Sequence, residues 1–65
     1  MKILGYEIGK TYFDSYWREN HTIINGGLDE NGFYWVQSLW LKDNHVTTHC
    51  TPRSSKDYEV HDARL

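Results

Sequence analysis

Apolar residues fall in short β-prone runs, punctuated by Gly, Asn and Asp, along which side chains alternate between two faces, and no window shows the 3.6-residue period of a helix. The alternation is clearest in Phe33–Leu41. There Phe33, Trp35, Gln37, Leu39 and Leu41 fall on one side, and Tyr34, Val36, Ser38 and Trp40 on the other. Apolar groups on both sides are the pattern of a central strand bent across a barrel. Before it, Gly9–Asp14 reads as an opening strand and His21–Asn25 as a second, with a polar, aromatic loop over Ser15–Asn20 between them. Alternation in the opening strand turns Thr11 and Phe13 to the core and Tyr12 and Asp14 away from it. Gly26-Gly27 permits positive φ or a sharp bend, and Asn31-Gly32 is a hairpin signal between two β-prone runs.

After the central strand, Lys42–His45 reads as a turn. His45 stands where glycine is usual, and histidine is one of the residues that tolerates a positive φ. Val46–Thr51 is a fourth strand, with Val46, Thr48 and Cys50 on one side and Cys50 expected to face inward as a small buried hydrophobe. Thr51-Pro52 is a helix-start pair, and the residues up to Asp57 leave room for one 3₁₀ turn. Tyr58–Val60 closes as a short strand, and residues 61–65 read as a mobile tail. Five short strands with one 3₁₀ turn before the last predict an all-β domain over residues 1–60, a small five-stranded SH3-like barrel. The loop lengths fit that order, and closure explains how so few strands avoid open edges.

Composition changes this picture in one respect. A 65-residue chain is near the lower limit for independent folding, and a single cysteine, Cys50, excludes an internal disulfide. Three Trp, five Tyr and two Phe supply the reinforcement instead, because each ring buries roughly 150–250 Å². The net charge of −2 and the scattered Lys and Arg give no basic footprint for tight duplex binding. "MKILGYEIG" predicts no signal peptide, no segment approaches the length of a membrane span, and a free thiol suits a reducing compartment. The expectation is a soluble, cytoplasmic protein with no membrane partner.

Candidate chemistry is sparse. His45, His49, Cys50 and His61 are metal-ligand types, but adjacent strand residues His49 and Cys50 point to opposite faces, and no paired-ligand spacing is present. The same geometry separates Cys50 from His49 as a nucleophile and its base, with Asp14 or Asp57 as orienter. A barrel of this size is also expected to lack a cavity of several hundred Å³. The reading is therefore no enzyme, no cofactor and no metal.

The aromatic stretch "GKTYFDSYWRENHTIING" is where binding is expected. Trp17 stands where it either closes one end of the barrel or anchors a partner, and Tyr16 and Trp40 compete for room in a crowded interior. Exposed Tyr, Trp and Arg anchor interfaces. Candidate binding residues are Tyr12, Tyr16, Trp17, Arg18, Trp40 and His49. Two functions follow: a protein-interaction module, self-association included, or a weak single-strand nucleic-acid binder stacking bases on the same rings. Four histidines add a further expectation, that stability falls below about pH 6 where a buried imidazole has to charge.

"GKTYFDSYW", followed about thirty residues later by "THCTP", resembles short proteins of bacteriophage genomes in which such a strand precedes a barrel. The resemblance spans roughly Gly9 to Val60 and carries no chemistry. It implies a viral accessory protein acting on a host or viral protein inside an infected bacterium.

Overall fold

The structure, a computed structural model, describes residues 2–52 and 56–64. It is all-β: β1 (Lys2–Ile3), β2 (Tyr6–Glu7), β3 (Thr11–Asp14), β4 (Glu19–Leu28), β5 (Phe33–Trp40), β6 (His45–Pro52) and β7 (His61–Asp62). The last five form one antiparallel sheet in the order β6-β5-β4-β3-β7, and β1 and β2 form a separate hairpin. Among the described residues no ladder joins β6 to β7, so strand pairing does not close the barrel that the sequence predicts. The two residues of β7 pair only with β3, through Tyr12–Asp62 and Phe13–His61. Residues 53–55, the middle of the expected 3₁₀ turn, lie outside the described residues.

The hairpin is an element the sequence reading left unassigned. Ile3 pairs with Tyr6, and the two residues between them, Leu4 and Gly5, both have positive φ (55° and 87°), the twist a two-residue hairpin needs. A leucine there is strained, and its near-complete burial offsets the strain. Gly5 has a second reason: a Cβ at this position would lie 2.9 Å from the Tyr58 carbonyl oxygen. The Tyr58 amide donates to the Leu4 carbonyl at 2.9 Å, so the two backbones run in direct contact. Gly26 makes a similar allowance in the sheet, where a Cβ would stand 3.0 Å from Ile8 Cδ1. The hairpin thus seats over the sheet's concave face, and Ile3, Leu4, Tyr12, Ile23 and Val36 form the core, flanked by Tyr6, Ile8, Tyr34, Tyr58 and Val60.

β4 runs for ten residues through Gly26-Gly27, with no break at the expected bend; its irregularity falls between Ile23 and Asn25. The left-handed residue of the β5–β6 turn is Asn44 (φ 58°), not His45, which already belongs to β6. Residues 58–60 are not a strand; pairing falls instead on His61–Asp62. The expected tail is likewise tied down. The Asn20 side-chain amide donates to the Arg64 carbonyl, the Arg64 amide returns a 3.0 Å bond to Asn20 Oδ1, and the Arg64 guanidinium lies 4.3 Å from the Phe13 ring centre.

The faces of two strands are the reverse of expectation. Tyr12 is 3% exposed, while Phe13 is half-buried under Arg64. Tyr12 pairs with buried His21, and its hydroxyl accepts the Glu7 amide at 2.6 Å, which satisfies the polar end of an otherwise apolar ring. In β6 the register Val36–His49 and Ser38–Thr47 turns His49 and Thr47 to the concave side. Cys50 pairs with Trp35 on the outer face and is exposed. No Lys, Arg, Asp or Glu occurs in β6, whose far side pairs with no strand among the described residues.

A candidate aromatic and acidic cleft

The hairpin covers only the part of the concave face around Gly26 and Val36. The remainder, around His21 and Trp40, is an open cleft of about 1030 Å³. Its floor comes from β4, β5 and β6, where cross-strand register places His21, Trp40 and His45 in one row and Ser38 and Thr47 in the next. Tyr6, Tyr58 and Glu59 stand on one side, and Asp14, Trp17 and Glu19, from the β3–β4 turn and its flanks, contribute the rim. A cavity of this volume corrects the expectation that so short a chain holds none. The reason is the open sheet: a concave face covered by a two-strand hairpin leaves unfilled what a closed barrel would fill with its own side chains.

The floor is polar but internally satisfied. His21 Nδ1 and Ser38 Oγ share a 2.9 Å hydrogen bond, and the Trp40 indole N–H donates to Thr47 Oγ1 at 2.8 Å. The His21 and Trp40 rings stack at 4.6 Å, with His45 parallel to Trp40 at 6.1 Å. Burial strips solvent from the His21 imidazole and holds its pKa below the ordinary value, against the opposing pull of the Asp14 carboxylate. Tyr6, edge-on to Tyr12, His21 and Tyr58, has its phenol pKa raised, first by burial and then by the charge of Asp14. On β6, His49 Nε2 and the Tyr58 hydroxyl share a 2.6 Å bond, which ties the floor to the far side. Asp43 bonds His45 Nδ1, and this bond lowers the Asp43 pKa.

The rim is built by Asp14. Its Oδ1 accepts the backbone amides of Tyr16 and Trp17, each at 2.9 Å, as a short acidic side chain does when it organises a turn. The turn ends at Arg18 in the left-handed region (φ 56°) and leaves Tyr16 82% and Trp17 66% exposed, the two rings edge-to-face at 5.0 Å.

Of the residues the sequence singled out, Trp17, Trp40 and His49 line the cleft; Tyr16 packs beside Trp17, and Arg18 is exposed in the same turn. Tyr12 is removed from the set, because its ring is buried and its hydroxyl occupied. Trp17 does not close an end of the sheet; it projects from the turn. Cys50 and His49 lie on opposite faces, and among the described residues no group of three His, Cys, Asp or Glu is placed to hold a metal ion. Sequence reasoning missed Tyr6, Tyr58, Asp43 and Glu59. A signal existed for Tyr6: Leu4-Gly5 between Ile3 and Tyr6 is a hairpin pattern in a segment given no element. No signal placed Tyr58 or Glu59 across from β6.

Comparison with protein-family models, curated proteins and solved structures found no match to this chain. No helix among the described residues is long and apolar enough to cross a membrane.

Proposed function

We propose that this protein is a non-enzymatic interaction module that holds a segment of a partner protein in the cleft between β6 and Tyr58. The observation that carries this reading is the cleft itself, an open concave face of about 1030 Å³ with two tryptophans in its lining, one of them 66% exposed. Tryptophan and tyrosine beside a pocket are the anchors that carry most of an interface's binding energy. In this reading the order β6-β5-β4-β3-β7 and the long, irregular β4 describe an open variant of the SH3-like barrel. The setting is the cytoplasm of an infected bacterium, and the protein a phage accessory factor acting on a host or viral protein.

The test pairs two exposed positions. Trp17→Ala on the rim is expected to abolish capture of a specific partner while leaving the thermal midpoint unchanged, whereas Phe33→Ala on the outer face is expected to leave capture intact. Capture that survives Trp17→Ala refutes the reading.

Exposed Tyr16 and Trp17 rings are also what single-stranded nucleic acid stacks on. The four carboxylates lining the cleft oppose a phosphate backbone, so this reading ranks second. An oligonucleotide affinity that falls steeply with salt would reverse that order.

A further inference from the structure

The charge of this protein is unevenly spread. Asp14, Glu19, Asp43 and Glu59 line the cleft, and among the described residues Lys42 is the one Lys or Arg beside them. With neutral histidines the lining carries three net negative charges, while the whole chain carries −2. The other described residues hold five Lys or Arg against five Asp or Glu and balance, so the surplus lies in the cleft. Two of the carboxylates already serve the fold, Asp14 on the turn amides and Asp43 on His45. Lys42 stands 4.0 Å from Glu19, and Glu59 makes no ion pair among the described residues.

The aromatic rings point the same way. Elsewhere the chain's own cations sit over ring faces: Lys10 Nζ is 5.3 Å from the Tyr12 ring centre, and the Arg64 guanidinium 4.3 Å from that of Phe13. Among the described residues no internal cation lies over Tyr6, Trp17, Trp40 or Tyr58, the rings of the cleft. A concavity with electron-rich rings and surplus carboxylates attracts a cation by ring quadrupole and by charge together, and it repels an anion.

We infer that the cleft takes a basic segment of the partner protein, seating a Lys or Arg side chain against Trp17 and the carboxylate of Glu59. This rests on the reading of the cleft as a protein-docking surface. It adds the sign of the partner's charge.

The experiment uses the intact chain and nine-residue peptides in a Gly-Ser background with three Arg, three Lys or three citrulline residues, citrulline being the neutral isostere of Arg. Binding is followed by the indole N–H resonances, with Trp35 on the outer face as an internal control. The Arg and Lys peptides are expected to shift Trp17 and Trp40 and leave Trp35 in place. Citrulline is expected to bind at least tenfold more weakly, and Glu59→Gln to cost the Arg peptide threefold or more. Equal binding of the Arg and citrulline peptides overturns the inference, as does the absence of any shift at 5 mM Arg or Lys peptide. So does a twelve-residue oligothymidylate that moves Trp17 and Trp40 more than the peptides do. In each of these cases a Trp17→Ala variant that still loses its captured partner leaves the docking reading standing, and one that keeps it removes both.

Discussion

Replacing Gly5 with alanine tests whether the contact between the N-terminal hairpin and Tyr58 holds one side of the cleft in place. Two costs follow from the geometry. At φ 87° any side chain is strained, by about 1–2 kcal/mol. The new Cβ would also meet the Tyr58 carbonyl oxygen at 2.9 Å and the Asp57 Cβ at 3.3 Å. The first is backbone and cannot swing aside as a long side chain would, so the Tyr58 segment has to withdraw. Withdrawal gives up the 2.9 Å hydrogen bond from the Tyr58 amide to the Leu4 carbonyl, a further loss of about 1 kcal/mol. Gly9→Ala is the control, because Gly9 has a similar φ of 92° and open space where the Cβ would go. Urea unfolding followed by tryptophan fluorescence should therefore place Gly5→Ala about 2–3 kcal/mol below the parent and Gly9→Ala about 1–2 kcal/mol below it. In a domain this small, the gap between the two variants corresponds to about 4–8 °C in thermal midpoint. Equal stabilities for the two would refute the argument, since the Tyr58 contact would then contribute nothing.

The remaining predictions concern the floor and the core. The His21 pKa is lowered in the folded state, so between that value and the unfolded value near 6.5 the unfolded chain binds more protons. Stability is then fully present above pH 6.5, declines as the pH falls below it, and levels off beyond the folded-state value. Thermal midpoints from pH 8 to 5 should show this decline, His21→Gln should flatten it, and a parent protein with no decline contradicts the assignment. Ile23 is wholly buried, and Ile23→Val should cost about 0.5–1.5 kcal/mol by the same urea assay; a neutral result would mean the core is not packed around it.

The central strand and the turns at its two ends are legible because alternation and turn chemistry are local. Phe33–Leu41 and the turns at Asn31-Gly32 and around Asn44 were read within a residue or so of where they lie. Which way each strand faced was less legible. Tyr12 and Phe13 are both aromatic, and either could be buried on composition alone. Pairing to His21 and the Glu7 amide decides for Tyr12, and neither partner is near it in a way that periodicity reports. Cys50 illustrates the same point: a small apolar residue reads as inward until the register with Trp35 fixes it outward. Gly26-Gly27 reads as a bend or a positive-φ site because glycine breaks strands, whereas here the missing side chain at Gly26 makes room for Ile8. The rim of the site was visible as the dense aromatic stretch at Tyr16 and Trp17. Its far side was not, because Tyr58 reaches the cleft through contacts with Leu4 and His49, at separations of 54 and nine residues.

The manner in which Tyr58 is held makes the two sides of the cleft unequal. The floor belongs to strands of ten, eight and eight residues laddered together, and such backbone opens only with the whole domain. Opposite it, residues 56–60 join no strand ladder among the described residues; an amide bond to Leu4, a phenol–imidazole bond to His49 and edge-on packing against Tyr6 secure Tyr58 there. The two sides of the concavity are thus unequally fastened. On the docking reading, an occupant too wide for the cleft would displace Tyr58 before it displaced the sheet beneath.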